Sequence, residues 1–327
     1  MKISRRTGLL TAGFFAVAAA FAGGRAVAAD QGKSIVYLTA GLDLPFWRYC
    51  SVGAEDAARA RGYAYSALDS HNSAQTQIQN TQDTVAKGVS GIVLSPTDSS
   101  TAPSVLKAAA KARIPVSFAG IGTVSGEYVT LVTSDDDAGA YAVGRTLAKA
   151  LAAKGWKNAE IGMVMISQAR VNGQRRTHGF ERAMTEAGHR IVARNEMQNY
   201  TADETFRFTQ DMLTAHPGMH GIFVQTDTPT LGAARAIAAM RRSGDTLLAA
   251  FDGVPEFVDM IKDGRLVVSG MQQPYLMGRD AAESVLDKLD GKTPRKEIVL
   301  PILIVTKQNI DQQLATIKQT VFAGQVK

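Results

Sequence analysis

The stretch Lys87-Gly-Val-Ser-Gly91-Ile-Val-Leu-Ser-Pro-Thr-Asp98 recurs in altered form as His216-Pro-Gly-Met-His-Gly221-Ile-Phe-Val-Gln-Thr-Asp227. Each copy reads as a helix end, a glycine, a short strand of bulky apolar residues and a polar Thr-Asp turn. A fully apolar run of three or four residues bounded by turn signals fits a strand covered on both faces, as in a parallel sheet. Its appearance twice, about 130 residues apart, suggests two similar halves in sequence.

The residues around each copy extend that reading. Before and after the first, strands are expected at Ser34–Thr39, Ala64–Leu68, Pro115–Phe118 and Tyr128–Thr133, with helices at Phe46–Arg61, Ala74–Lys87 and Ser99–Ala112. Around the second, strands at Glu160–Ile166, Arg190–Asn195, Leu247–Phe251 and Leu266–Gly270 alternate with helices at 138–154, 173–186, 204–214, 229–242, 254–262 and 276–289. This βαβ rhythm predicts an α/β fold of two doubly wound lobes, each a mostly parallel sheet with helices on both faces. Ligands in such sheets bind beyond the carboxyl ends of the strands, where both Thr-Asp turns lie.

Ahead of the first strand stands a different segment. Ser4-Arg5-Arg6-Thr7-Gly8-Leu9-Leu10, an Ala/Gly/Phe-rich run and Ala26-Val27-Ala28 form a positive start, an apolar middle and a small-residue cleavage site. That is an export signal over 1–29, and the paired arginines resemble the twin-arginine type. The apolar run of about 15 residues is short of the roughly 20 a membrane span requires. Its removal leaves about 298 residues, and it takes with it Lys2, Arg5, Arg6 and Arg25. The formal charge of +6 thus falls to about +2, which argues against a nucleic-acid partner.

Chemistry-bearing motifs of enzymes do not emerge. There is no G-x-S-x-G, no G-x-x-x-x-G-K-[ST] and no H-E-x-x-H. His216 and His220 are four apart, yet Pro217-Gly218 breaks the helix that would align them on a metal. Cys50 is the sole cysteine, so no intramolecular disulfide forms, and its place early in a helix reads as packing. Neither a cofactor nor a metal is expected.

The order of short motifs along nearly the whole mature chain resembles the periplasmic sugar-binding proteins of ABC importers, in the ribose/galactose/xylose branch. They run from Leu42-Asp-Leu-Pro-Phe-Trp47 and Leu68-Asp-Ser-His-Asn72 through Gly88–Asp98, Thr133-Ser-Asp-Asp136 and Gly179-Phe180 to Gln225-Thr-Asp-Thr228, Phe251-Asp-Gly253 and Gln272-Gln-Pro274. The resemblance implies a type I periplasmic binding protein whose lobes, 30–133 plus 273–302 and 134–272 plus 303–327, join through three hinge crossings. It implies a periplasmic monomer that closes around a small sugar, polyol or related molecule and presents it to an ABC permease, or else to a membrane sensor. A cytoplasmic repressor of similar fold would need a DNA-binding helix-turn-helix where this chain has its export signal.

A sugar has hydroxyls on its rim and apolar faces, which calls for aromatic plates with polar groups around the edge. Phe46, Trp47, Tyr200 and Phe251 are the aromatic candidates, with Asp252, Gln272, Thr226 and Asp43 for the hydroxyls. Where relatives carry an Asp-Arg pair after the fourth strand this chain has Gly120-Ile121, which predicts a less polar and roomier side of the pocket. Where relatives extend an arginine after the sixth strand it has Gln174. Arg170, Arg175 and Arg176 suit an anionic group if they face inward; the plainer reading is a solvated helix face shared with Arg182. Asp98 and Asp227 read as caps or turn formers.

Overall fold

The computed structural model describes residues 33–325, and the export-signal segment lies outside them. Two six-stranded sheets are built by the alternation read above. The first unit of chain supplies β1 (Ser34–Thr39), α1 (Pro45–Ala60), β2 (Ala64–Asp69), α2 (Ala74–Ala86), β3 (Gly91–Leu94), α3 (Ala102–Lys111), β4 (Val116–Ala119) and β5 (Leu131–Ser134). The next supplies α4 (Asp136–Ala153), β6 (Glu160–Met165), α5 (Val171–Glu186), β7 (Arg190–Glu196), α6 (Ala202–Ala215), β8 (Met219–Val224), α7 (Asp227–Ala239), β9 (Leu247–Phe251), α8 (Glu256–Asp263) and β10 (Val268–Met271). Then come α9 (Pro274–Leu289), β11 (Glu297–Leu300), β12 (Leu303–Thr306), α10 (Ile310–Thr316) and a π-helical turn, Ile317–Val321.

Strand order is β11-β5-β4-β3-β1-β2 in the first sheet and β12-β10-β9-β8-β6-β7 in the second. All pairs are parallel except β10 with β12. The central strands β3 and β4 are buried along their whole length, as strands covered on both faces must be. Edge strand β2 is exposed at its first and third residues, Ala64 and Ser66, both small side chains on its outer face. The chain passes from one sheet to the other between β5 and β6, between β10 and β11, and between β11 and β12. The two terminal strands were not expected from the sequence as elements. Only the return of the chain to the second lobe at 302/303 was.

Helices pack close where their contact residues are small. At the crossing of α1 and α9, a Cβ on Gly278 would lie 1.8 Å from the Cys50 carbonyl oxygen, and one on Gly53 would lie 2.0 Å from that of Tyr275. Only glycine lets the two backbones touch there. Cys50 itself is buried in this contact, and burial pushes its thiol pKa up. The close packing anchors α1, whose first turn carries Phe46 and Trp47 toward the site.

Candidate functional site

Between the carboxyl ends of the two sets of strands lies a small cavity of about 20 Å³. From the first sheet's side it is lined by Leu44, Phe46 and Trp47; from the second by Ile166, Arg170, Asn172, Arg176, Tyr200, Thr226 and Asp252. Every one of these residues lies in a strand-to-helix connection or in the first turns of the following helix, the position a doubly wound sheet gives its ligands. Pro45 at the start of α1 fixes the chain direction there and directs Phe46 and Trp47 inward, edge to face at 4.7 Å.

Arg176 organises the second lobe's half. It is 2% exposed, and its guanidinium donates to Asp136 Oδ1 at 2.8 Å, Asp252 Oδ2 at 3.0 Å, Gln272 Oε1 at 2.5 Å and the Gln225 carbonyl at 2.6 Å. Its plane lies 4.0 Å from the Phe251 ring centroid. Arg176 is therefore satisfied on four sides and stacked on the fifth, which is what a buried guanidinium needs. Two carboxylates share one cation, so the trio is negative by one charge when both are ionised. Burial outweighs the opposing pull of Arg176 on both carboxyls, so Asp252 is raised and Asp136 is raised to about 6.

Asp252 is held for this role by its backbone. Its φ is +62°, a conformation that non-glycine residues adopt at a cost, and Asp252 N–H donates to the Gly270 carbonyl at 2.9 Å while the Ser269 hydroxyl donates to its carbonyl at 2.6 Å. Thr226 Oγ1 donates to Oδ2 at 3.3 Å. Its second carboxylate oxygen, Oδ1, is buried without a protein partner, as are Trp47 Nε1 and Asn172 Oδ1, all three on cavity-lining residues.

Asp227 spans the two sides. Its Oδ1 accepts the Thr228 N–H at the start of α7, and its Oδ2 accepts the Phe46 N–H at the start of α1, 3.3 Å away. Burial raises its carboxyl to about 7; the charge of Asp252 adds to the rise and the two backbone N–H groups oppose it. Because the folded form binds a proton that an ordinary aspartate would have released, this group's contribution to stability is lost as pH rises from about 4 to about 7. We expect Asp227→Asn to give a shallower fall of the urea midpoint between pH 5 and pH 7.5 than the wild type shows. Equal slopes would contradict this assignment.

The structure divides the sequence candidates. Phe46, Trp47, Tyr200, Thr226 and Asp252 line the cavity. Gln272 and Phe251 do not line it; they support Arg176 from behind. Asp43 is a correction: it is exposed, and its carbonyl accepts from Arg48 at 2.9 Å. Gln174 is another, an exposed residue whose amide donates to the Gln168 carbonyl at 2.8 Å.

Gly120 and Ile121 also stand differently from expectation. A Cβ on Gly120 would meet Trp47 Cζ3 at 3.5 Å and Phe46 Cε1 at 3.7 Å, so the aromatic pair fills the space that a larger residue would take. Ile121 is fully buried in the core and does not line this cavity. The exchange of a charged pair for Gly-Ile therefore gives room to tryptophan and does not enlarge the pocket. The solvated-face reading of the arginines fails for two of them. Arg170 is 3% exposed and Arg176 is buried, whereas Arg175 and Arg182 are exposed.

Asp136, Gln225, Asn172 and the cross-lobe Asp227 contact were not picked out from the sequence, and Arg176 was named there only as a partner for a ligand anion, not as the centre of a buried ion network. A signal for Arg176 was available: it lies four residues before Phe180 on the face of α5 that also buries Gly173, Ala183 and Met184.

Two α/β lobes with a lined cavity between their strand ends define a class of two-lobed small-molecule binders. The chain belongs to the periplasmic binding protein family, whose domain model matches residues 35–293. It is 30% identical to the ribose import binding protein of Escherichia coli strain K12 over 276 residues, 84% of this chain and 91% of that protein. It is 28% identical to the D-apiose import binding protein of Paraburkholderia graminis, over 86% of this chain and 89% of that one. A carbohydrate transporter solute binding protein from Agrobacterium radiobacter, in complex with D-arabinose, superposes with a TM-score of 0.82 at 22% identity, covering 89% of this chain and 99% of that one.

Proposed function

We propose that this protein is the periplasmic receptor of an ABC importer and that it closes, as a monomer, around a small neutral sugar or polyol. The observation that carries the reading is the set of three buried polar atoms without protein partners on the cavity wall, Trp47 Nε1, Asn172 Oδ1 and Asp252 Oδ1. The first can only donate and an ionised carboxylate can only accept, so the complement must do both. A ring or chain bearing hydroxyls does so, and the aromatic wall of Phe46 and Trp47 covers its apolar face.

Neutrality follows from the charges already present. Arg176 is taken up by two carboxylates, and Arg170 is engaged by a carbonyl and a side-chain amide. The Arg176 guanidinium is not left for a ligand anion, and the surplus of buried carboxylates around it disfavours one. At about 20 Å³ the cavity has room for about one water, so the lobes part further to admit a sugar or polyol. Lobes 30–133 plus 273–302 and 134–272 plus 303–327 would turn about the three crossings between the sheets, the ligand holding them closed. The import binding proteins among the relatives favour delivery to a permease over presentation to a sensor.

The test is ligand-dependent stability of the mature protein against D-ribose, D-apiose, D-allose, D-arabinose and glycerol. A true ligand should add about 3 to 4 kcal/mol at 100 to 1,000 times its dissociation constant. If no sugar or polyol in a widened panel moves the unfolding midpoint, the receptor reading fails.

A further inference from the structure

Arg170 is the one buried guanidinium of the cleft that has no carboxylate bonded to it. It stands at the foot of α5, in the second lobe, yet both of its hydrogen bonds cross to the first. Nε donates to the Thr97 carbonyl at 2.8 Å, and Nη2 donates to Asn72 Oδ1 at 2.9 Å. Beside it the backbones meet directly: Ser99 N–H donates to the Ala169 carbonyl at 3.3 Å, and Val171 N–H donates to Ser99 Oγ at 3.2 Å. These bonds exist only while the lobes are together.

Two of the residues against the guanidinium are held in left-handed backbone conformations. Asn72, in the turn between β2 and α2, has φ +54°, and its N–H donates to the Ala40 carbonyl at 2.7 Å. Tyr200 has φ +56°, and its ring lies 5.0 Å below the guanidinium. Its hydroxyl accepts the Ser167 N–H at 3.0 Å, which fixes the ring under the arginine. A tyrosine at positive φ is costly unless the surroundings enforce it, and such strain collects at functional positions. Asn72 is not on the wall of the ligand cavity; it faces a neighbouring groove with Asp98 and Glu196.

We propose that Arg170 is a closure latch: it joins the lobes through Asn72 and Thr97, gives the closed form a stability of its own, and thereby sets affinity from outside the ligand's hydroxyl contacts. This rests on the two-lobe closure of the preceding reading. An apparent dissociation constant equals the intrinsic one divided by the fraction of protein that is binding-competent, so a weaker latch weakens binding without removing a ligand contact. Arg170 borders the cavity as well, and Asn72 separates the two roles.

The experiment places spin labels at Gln75→Cys and Gln198→Cys, exposed positions close to the two flanks of that groove, the native Cys50 being buried. Inter-label distances are read in the full mature protein, first without ligand and then with D-ribose, for wild type, Arg170→Ala, Asn72→Ala and the double variant. We expect a short-distance population in the ligand-free wild type. Each single variant should lower the closed-to-open ratio about tenfold, the scale of one charge-assisted hydrogen bond, and the double variant should add little to Arg170→Ala. Loss in Arg170→Ala with no change in Asn72→Ala overturns the latch, as does a ligand-free wild type with no closed population. One unchanging distance in every sample, D-ribose and the other panel sugars included, would instead overturn closure itself.

Discussion

Arg176→Met is expected to cost about 3–5 kcal/mol of folding stability at pH 7, the penalty of removing one partner from a buried ion network. The side chain lost is apolar along most of its length, so methionine replaces its volume. What it does not replace is the charge between Asp136 and Asp252, which are 1% and 4% exposed. Burial already lifts both carboxyls, and the guanidinium that opposes that rise would be gone. Both would then bind protons at neutral pH. The sign is testable: relative to wild type, the variant's deficit should shrink as pH falls from 7 toward 5, because the protons its folded state takes up, and its unfolded state does not, cost less to bind at lower pH. Urea unfolding at the two pH values reads it. A deficit independent of pH would show that Arg176 acts by packing on Phe251 alone.

That network also shows why the site was only partly legible in the sequence. The strands that carry it were readable because a parallel sheet covered on both faces leaves runs such as Gly91–Leu94 and Leu247–Phe251, and these fall where expected. The short strands β11 and β12 were not, since each has four residues, lies at a sheet edge and is only partly buried. Their pairing in different sheets is a long-range outcome with no local signature. Among site residues, Asp252 was legible from its Phe-Asp-Gly turn. Arg176 was masked by its neighbours: Gln174, Arg175 and His178 share its stretch and are exposed, so composition suggested a wet helix face. The apolar period through Phe180, Ala183 and Met184 was the stronger guide.

Gly120-Ile121 carries a related lesson. Reading a lost polar pair as lost volume treats the pocket as a rigid mould. In a close-packed interior the neighbouring side chain takes the space, here Trp47 over a glycine at φ +84°. The same ring brings a donor, Nε1, to the wall. The first lobe thus lines the pocket with apolar and aromatic side chains, the indole among them, and the charged lining residues all stand in the second lobe.

Asp252→Ala should abolish the ligand-induced rise in unfolding midpoint, with affinity reduced at least about a hundredfold, on the scale of losing hydrogen bonds to a charged group. Three facts concentrate the effect at this residue. Its Oδ1 lacks a protein partner and is buried on the cavity wall, so any ligand hydroxyl seated there exchanges water for a carboxylate acceptor. Its Oδ2 orients Arg176 and accepts from Thr226, so the loss loosens the cation as well. Its backbone at φ +62° is fixed from both sides by Gly270 and Ser269, which holds the carboxylate where it is without help from the ligand. Asp136 still pairs with Arg176 in the variant, so the protein should remain folded, and the ligand-free unfolding midpoint provides the control. Asp252→Asn discriminates further: it keeps one acceptor and the side-chain volume, and should retain part of the binding that alanine loses. A variant that folds and still shows the full ligand shift would move the recognition centre from Asp252 to Asn172 and Trp47.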